Sequence, residues 1–296
     1  MRMFRITLMM GLLGACTGGM SPSERQVYEK TINDWHIQRV ADLKKEDGWL
    51  NLSGLFWLSD GLNSFGADGT LQVVFPEKFP LAKAGFFLLQ NGIVTMVTPE
   101  ANGILVSGKP GGAVVLFHPD SSSVIVASKG DFRWNIIKRQ DKYGVRLRDL
   151  ASTAVEGFTG PERFPVDPDF RVEGRLVTTD TLRTILISNA LGQTVPERSP
   201  GWVEFKLKGR PYSLDALESG DELFFVFADA TTGAETYGGG RFLYAARPGP
   251  DGLVELDFNK AIDPPCVFTP YATCPLPPEQ NRLPIAVRAG EKDFHH

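Results

Sequence analysis

From Trp49 onward the chain is written in short runs of β-branched and aromatic residues, and that rhythm limits what it can fold into. The runs at 71–75, 85–89, 93–98, 104–106, 114–117, 124–128 and 132–138 are each bounded by Gly, Pro, Asn or Asp. Short strands at roughly ten-residue spacing with turn residues between them indicate a β-sandwich. The pattern restarts at 171–177, 182–188, 201–207 and 210–214, and again at 241–245 and 253–258. The connection Lys206-Leu207-Lys208-Gly209-Arg210 has the form of a hairpin turn. Glu222-Leu223-Phe224-Phe225-Val226-Phe227 is almost continuously apolar and predicts a central strand covered on both faces. The expected fold is mainly β: an N-terminal helix, a β-sandwich, then a second β-sandwich or barrel with a long ordered Pro-rich C-terminal loop.

Residues 1–15 read as a targeting signal. Arg2 and Arg5 precede a short apolar run at 6–13, too short to span a bilayer, and Leu13-Gly14-Ala15-Cys16 has the form of a lipobox. Small residues admit the peptidase and the Cys16 thiol accepts the diacylglycerol, which anchors a domain at a membrane without crossing it. Thr17 stands where an inner-membrane retention signal would place Asp, so the expected location is the periplasmic face of the outer membrane of a two-membrane bacterium. Residues 16–22 form a tether. Ser21 and Glu24 have capping-box spacing and open a helix over 23–47, with Tyr28, Ile32, Trp35 and Leu43 on one stripe that is expected to pack on the first β-domain.

Removing residues 1–15 leaves 281 of 296 residues, more than a usual single core of roughly 100–200 residues holds. Two β-domains are expected, at 48–150 and 171–292, joined by a Pro- and Phe-rich connector at 151–170. The signal carries two of the 31 Lys and Arg, leaving 29 against 35 Asp and Glu, a net charge of −6. That balance excludes nucleic acid as a partner, because phosphate backbones demand a basic footprint. No sequence pattern calls for a cofactor.

The turn order in the first domain carries a resemblance. Leu62-Asn63-Ser64-Phe65-Gly66, Gly85-Phe86-Phe87-Leu88, Gly92-Ile93-Val94 and Val106-Ser107-Gly108-Lys109-Pro110 resemble the forkhead-associated (FHA) sandwich over roughly residues 50–138. The resemblance implies an Arg and an Asn as phosphothreonine donors, but Ala67 and Ser107 stand at those places. Without a guanidinium and an amide there, phosphate lacks its charge-assisted partners, and the likeness is one of fold alone. Farther on, Tyr143-Gly144-Val145-Arg146-Leu147-Arg148-Asp149 alternates apolar and charged residues. Arg146, Arg148 and Asp149 read either as an anion-binding group or as the solvated face of a strand.

The densest chemistry lies between Thr236 and Glu291. Trp49–Leu58, Glu235–Arg241, Leu256–Asn259, Pro264–Pro278 and Asn281–Glu291 resemble a bacterial family catalogued as domain of unknown function 1684, over about residues 30–292. That resemblance implies a family boundary and supplies no reaction. Tyr237-Gly238-Gly239-Gly240-Arg241 reads as an anion-cradling nest or as a tight turn into the next strand. Asp229, Glu235 and Asp257 are the candidate acid–base residues of a carboxylate-dependent hydrolase. Cys266 and Cys274 are expected to form a disulfide in an oxidising compartment, stabilising by roughly 2–3 kcal/mol. A nucleophilic cysteine has no His near it in sequence for activation, and two thiols do not make a zinc set, so no metal is expected.

Seven prolines from Pro264 to Pro284 exclude helix and central strand there. The segment must run as an ordered loop, held by Phe268, Tyr271, Asn281 and Arg282, with Arg282 expected to pair with Asp257 or Asp229. The expected function is a membrane-anchored envelope protein that binds a small or polymeric ligand in a cleft of this segment. Tyr237, Arg241, Tyr271, Asn281 and Arg282 are its candidate contacts. A hydrolase and a non-catalytic scaffold are the alternatives.

Overall fold

Ser21 caps the first element of the computed structural model, which describes residues 20–179 and 183–294. Its hydroxyl accepts the Glu24 N–H at 3.3 Å, and the Glu24 carboxylate accepts the Ser21 N–H at 2.8 Å, a complete capping box at the start of α1 (Pro22–Lys44). Tyr28, Ile32 and Leu43 are its buried residues, and Trp35 stays partly exposed. The helix packs against the C-terminal domain, contrary to the expectation that it covers the first. Tyr28 reaches Asp257, and Arg39 reaches Glu291 and the Asp263 carbonyl. The targeting signal and Cys16 lie outside the described residues.

Eleven short strands follow in the expected region. They are β1 (Leu52–Trp57), β2 (Gly61–Gly66), β3 (Val73–Val74), β4 (Gly85–Gln90), β5 (Ile93–Val97), β6 (Leu105–Val106), β7 (Lys109–Pro110), β8 (Ala113–Phe117), β9 (Ala127–Lys129), β10 (Phe132–Arg139) and β11 (Lys142–Asp149). They form two sheets, β1-β11-β10-β9-β6-β7 and β3-β2-β4-β5-β8. Phe65, Phe87 and Met96 from one sheet and Trp134, Val145 and Leu147 from the other share one core, so the unit is a sandwich. Phe75 meets the Trp134 ring edge-on, with centroids 5.6 Å apart.

The connector holds a single helical turn, α2 (Thr153–Glu156), and three buried phenylalanines, Phe158, Phe164 and Phe170, that tie it to its surroundings. The second domain contains β12 (Arg171–Val177), β13 (Arg183–Ser188), β14 (Thr194–Ser199), β15 (Gly201–Leu207), β16 (Arg210–Ser219), β17 (Glu222–Phe227), β18 (Arg241–Ala246) and β19 (Leu253–Asp257). Six of them run in the order β18-β17-β16-β15-β12-β19, and β19 returns against β18, so the sheet curls into a nearly closed barrel. Lys208 and Gly209 take positive φ of 49° and 77° between the paired Leu207 and Arg210, which is the expected hairpin turn.

The prediction that β17 is covered on both faces holds. Leu223, Phe225 and Phe227 point into the barrel, whereas Phe224 and Val226 pack outward. The outer cover consists of Ile185 and Ile187 on the separate β13–β14 hairpin and of Ala272 and Cys274 on the C-terminal segment. That segment goes deeper than a surface loop. Leu283, Val287 and Ala289 belong to the barrel core, and Val267 and Phe268 pack with Leu43, Leu50 and Phe158 beneath α1.

Candidate functional site

Arg241 opens β18 with its side chain fully buried. Its Nη2 donates to Asp229 Oδ2 at 2.9 Å and to the Val287 carbonyl at 2.8 Å, and its Nη1 donates to the carbonyls of Ala289 and Glu291 at 2.5 and 3.2 Å. The guanidinium therefore bolts the C-terminal segment to the barrel and faces no cleft, which corrects its assignment as a ligand contact. Asp229 is equally consumed: its Oδ1 accepts the N–H and hydroxyl of Thr231 and the N–H of Val287. The glycine triplet is the tight turn. Gly240, at φ 81°, donates to the Tyr237 carbonyl, and a Cβ there would lie 2.6 Å from the Phe227 carbonyl oxygen and 2.3 Å from Pro277.

The other candidate acids do not converge. Asp257 Oδ1 accepts the Tyr28 hydroxyl at 2.8 Å and two N–H groups of Asn259 at 3.1 Å. Glu235 reaches solvent but is held by Arg288, whose side-chain bonds also keep its carboxyl below the usual carboxylate range. Glu235 feels the charge of Asp229, but Asp229 is enclosed with both oxygens bonded and Asp257 is held by Tyr28 and Asn259, so the geometry offers no free acid–base pair among them.

Two further candidate contacts are architectural. Asn281 is buried, accepts the Asp215 N–H at 2.7 Å, and donates to the carbonyls of Asp215 and Val226 at 3.0 Å. Arg282 is exposed and pairs with Glu279 at 3.3 Å, not with Asp257 or Asp229 as expected. Tyr237 packs beneath α1 with Phe268 and Val267, and burial raises its hydroxyl pKa. Tyr271 is exposed. Cys266 and Cys274 are free thiols that the loop brings together, each backbone N–H donating to the other's Sγ at 3.1 and 3.3 Å.

The C-terminal segment does wall a cleft, though on its other side and with other residues. A cavity of about 400 Å³ lies between the two domains, bounded by Pro265 and residues 272–275 of the segment, by Phe224, Phe242 and Tyr244 of the barrel, and by Trp49. Three arginines enter it: Arg39 from α1, Arg139 from the end of β10, and Arg146 from the middle of β11. A second cavity of about 750 Å³ continues it past Arg139, Phe224, Thr273 and Pro275 towards Lys138, Asn189 and Arg198. Phe224 stacks on Tyr244 at 4.8 Å and meets Phe242 edge-on at 4.9 Å, which makes a rigid apolar floor.

Arg146 sets the electrostatics. Its guanidinium lies over the Trp49 ring, 5.3 Å from the centroid, and its Nε and Nη2 are buried with no acceptor among the described residues. Burial, with Arg139 and Arg148 nearby, pushes its pKa down to about 10, as a cation without a counter-charge requires. Arg139 donates Nε to the Thr273 hydroxyl at 3.0 Å and Nη1 to the Lys138 carbonyl at 2.9 Å, both uncharged acceptors. Arg39 alone has an acid, Glu291, at 3.3 Å. The neighbours of Arg146 on β11 turn elsewhere: Arg148 donates to the Gly48 carbonyl and Asp149 pairs with Lys78. The alternation at 143–149 marked Arg146 as a candidate, but Arg39 and Arg139 carried no signal and Trp49 only that of the family resemblance, because only the domain arrangement brings them together.

A solution NMR structure of an uncharacterized protein from Haloarcula marismortui is similar to this chain at 35% identity, covering 48% of this chain and 80% of that one, with a TM-score of 0.40. Among curated proteins none matches the chain. The family described as "Protein of unknown function (DUF1684)" matches residues 156–292, a shorter span than the resemblance suggested, which includes the barrel and the C-terminal segment and leaves the sandwich outside. The barrel wall of the cleft thus lies within the family's span, and the chain belongs, through residues 156–292, to the DUF1684 family of proteins of unknown function.

Proposed function

We propose that this is a lipid-anchored envelope protein that binds an anionic small molecule or the anionic group of a polymer in the interdomain cleft. The observation that carries the reading is Arg146, a partly buried guanidinium whose Nε and Nη2 meet no acceptor. A buried cation without a partner costs stability, and a site of this kind is retained where a ligand supplies the counter-charge. Arg139 and Arg39 stand beside it, and the planar fork of arginine suits carboxylate and phosphate oxygens. Trp49, Phe224 and Tyr244 supply apolar surface for the body of the ligand. The chain as a whole is acidic, so the cleft is a local exception that favours small anions over extended polyanions.

The anchor on Cys16 and the periplasmic face of the outer membrane complete the reading, resting on the lipobox and Thr17. The FHA-like likeness of the sandwich enters as fold only, since Ala67 and Ser107 cannot serve as phosphothreonine donors. The test is calorimetric titration and thermal shift with inorganic phosphate, pyrophosphate and citrate. At least one is expected to bind in the parent and to lose at least tenfold in affinity with Arg146→Met. Binding that is unchanged in Arg146→Met, or absent for all three probes, overturns the reading. For the anchor, Cys16→Ser is expected to move the protein from the membrane to the soluble fraction.

A further inference from the structure

Cys266 and Cys274 sit on the wall of the cleft, and their surroundings differ in a directed way. Cys266 keeps partial contact with solvent, whereas Cys274 is 6% exposed and lines the cavity that Arg146 enters. The loop between them is pinned with each thiol accepting the other's backbone N–H. Thr269 donates its hydroxyl to the Leu52 carbonyl at 3.2 Å, and Val267 and Phe268 are anchored beneath α1. Pro265 precedes one thiol and Pro275 follows the other, and the fixed φ of each ring stiffens the chain beside the pair.

We propose that Cys266 and Cys274 form a redox-active dithiol that exchanges with an external disulfide, Cys266 attacking and Cys274 resolving. A thiolate on Cys266 would accept the Cys274 backbone N–H, 3.3 Å away, and the Cys274 thiol proton. The hydrogen bond from the Cys274 thiol holds the Cys266 thiol below its usual range, while the same contact and burial push the Cys274 thiol up. The missing histidine is therefore no obstacle, since the second cysteine does the activating.

The exchange has two steps. Cys266 Sγ⁻ attacks one sulfur of a disulfide R–S–S–R′, the S–S bond breaks, and R′S⁻ leaves and takes up a proton. A mixed disulfide remains on Cys266. Cys274 then loses its proton to solvent, with the Arg146 charge favouring its thiolate, and attacks the Cys266 sulfur. The Cys266–Cys274 bond forms and RS⁻ departs to be protonated. Two electrons pass from the dithiol to the external disulfide, and the two protons end on the released thiols.

The experiment uses the full chain with Cys16→Ser, which leaves two thiols, equilibrated with reduced and oxidised glutathione over a wide range of ratios. After acid quenching, maleimide labelling is read by mass spectrometry. Two labelled thiols are expected to give way to none across the range, with little mixed disulfide. In Cys274→Ser the glutathione adduct is expected to accumulate on Cys266, at least tenfold more than on Cys274 in Cys266→Ser, with both variants shown folded by thermal melting. Thiols that stay labelled at every ratio, a disulfide that native-state glutathione never reduces, or adducts of equal extent in the two variants overturn the proposal. The readout scores disulfide exchange and not anion affinity, so either proposal can fail without the other.

Discussion

Arg241 and Asp229 face each other at 2.9 Å with both side chains wholly removed from solvent. The ion pair is the centre of a larger junction, because the same guanidinium gathers three carbonyls from the last turns of the chain. Two charges buried together lose much of their attraction to desolvation, and removal of one leaves the other stranded. The junction explains why the proline-rich segment lies so deep with so little regular structure. Gly290 belongs to it, with φ 79° and a position where a Cβ would lie 2.4 Å from the Ala261 carbonyl oxygen.

Arg241→Ala is expected to cost roughly 3–5 kcal/mol in urea denaturation, as breaking a buried pair does. Arg241→Met with Asp229→Leu should cost clearly less than the two single changes summed, since no lone charge then remains. A variant Arg241→Ala that melts with the parent but fails to bind anions would return Arg241 to the ligand contacts.

The distance over which a residue's partners lie decides how much of this could be seen beforehand. The capping box of α1, the Lys208-Gly209 turn and the two-faced β17 are local patterns, and each stands where the sequence puts it. β14 went unseen because Pro196 and the Glu197-Arg198 pair interrupt its pattern, which an exposed two-stranded hairpin tolerates. β16 runs past Leu214 because the charge of Asp215 is met by Arg183 at 2.8 Å, from another strand. Arg241 resembled a ligand contact because three of its four acceptors lie 46 to 50 residues downstream. Arg146 was legible as a charged position on an alternating strand. Its lack of a partner was not, because a wall from the other domain creates it.

Arg146→Met is expected to stabilise the protein in anion-free buffer by about 1–3 kcal/mol, since a desolvated unpaired charge is replaced by a side chain of similar length. Its folded pKa of about 10 lies below the usual value, so the penalty is fully present at neutral pH and lifts only as pH rises through that value. Denaturation midpoints at pH 7 in a zwitterionic buffer check this. An equal or lower midpoint for Arg146→Met would mean that the guanidinium is satisfied in the free protein.

Tyr28 joins α1 to the barrel through its hydroxyl, which donates to Asp257 at 2.8 Å and accepts from Asn259 at 2.9 Å. Tyr28→Phe keeps the ring over which Arg171 lies and removes only that link. A loss of about 1–2 kcal/mol is expected, together with faster protease cleavage within α1. Unchanged cleavage would show that Ile32, Leu43 and the Arg39 contacts hold the helix without it.

Asp263 and Glu291 give the fold a pH dependence opposite to that of ordinary paired carboxylates. Asp263 is fully buried, and neither of its carboxyl oxygens has a hydrogen-bond partner among the described residues. Burial, followed by the neighbouring Glu291, pushes its pKa up to about 8. Glu291 is also raised, chiefly by burial, with Arg39 pulling it back. A carboxyl raised on folding binds its proton more tightly in the native state. Its contribution is complete below the unfolded value near 4 and is lost as pH rises through about 8. Stability is therefore expected to fall by on the order of 1–3 kcal/mol between pH 5 and pH 8. Asp263→Asn, which cannot ionise, should flatten that slope while leaving the part due to Glu291. Urea midpoints at intervals across the range read the difference, and parallel curves for parent and Asp263→Asn would mean that Asp263 carries no raised pKa.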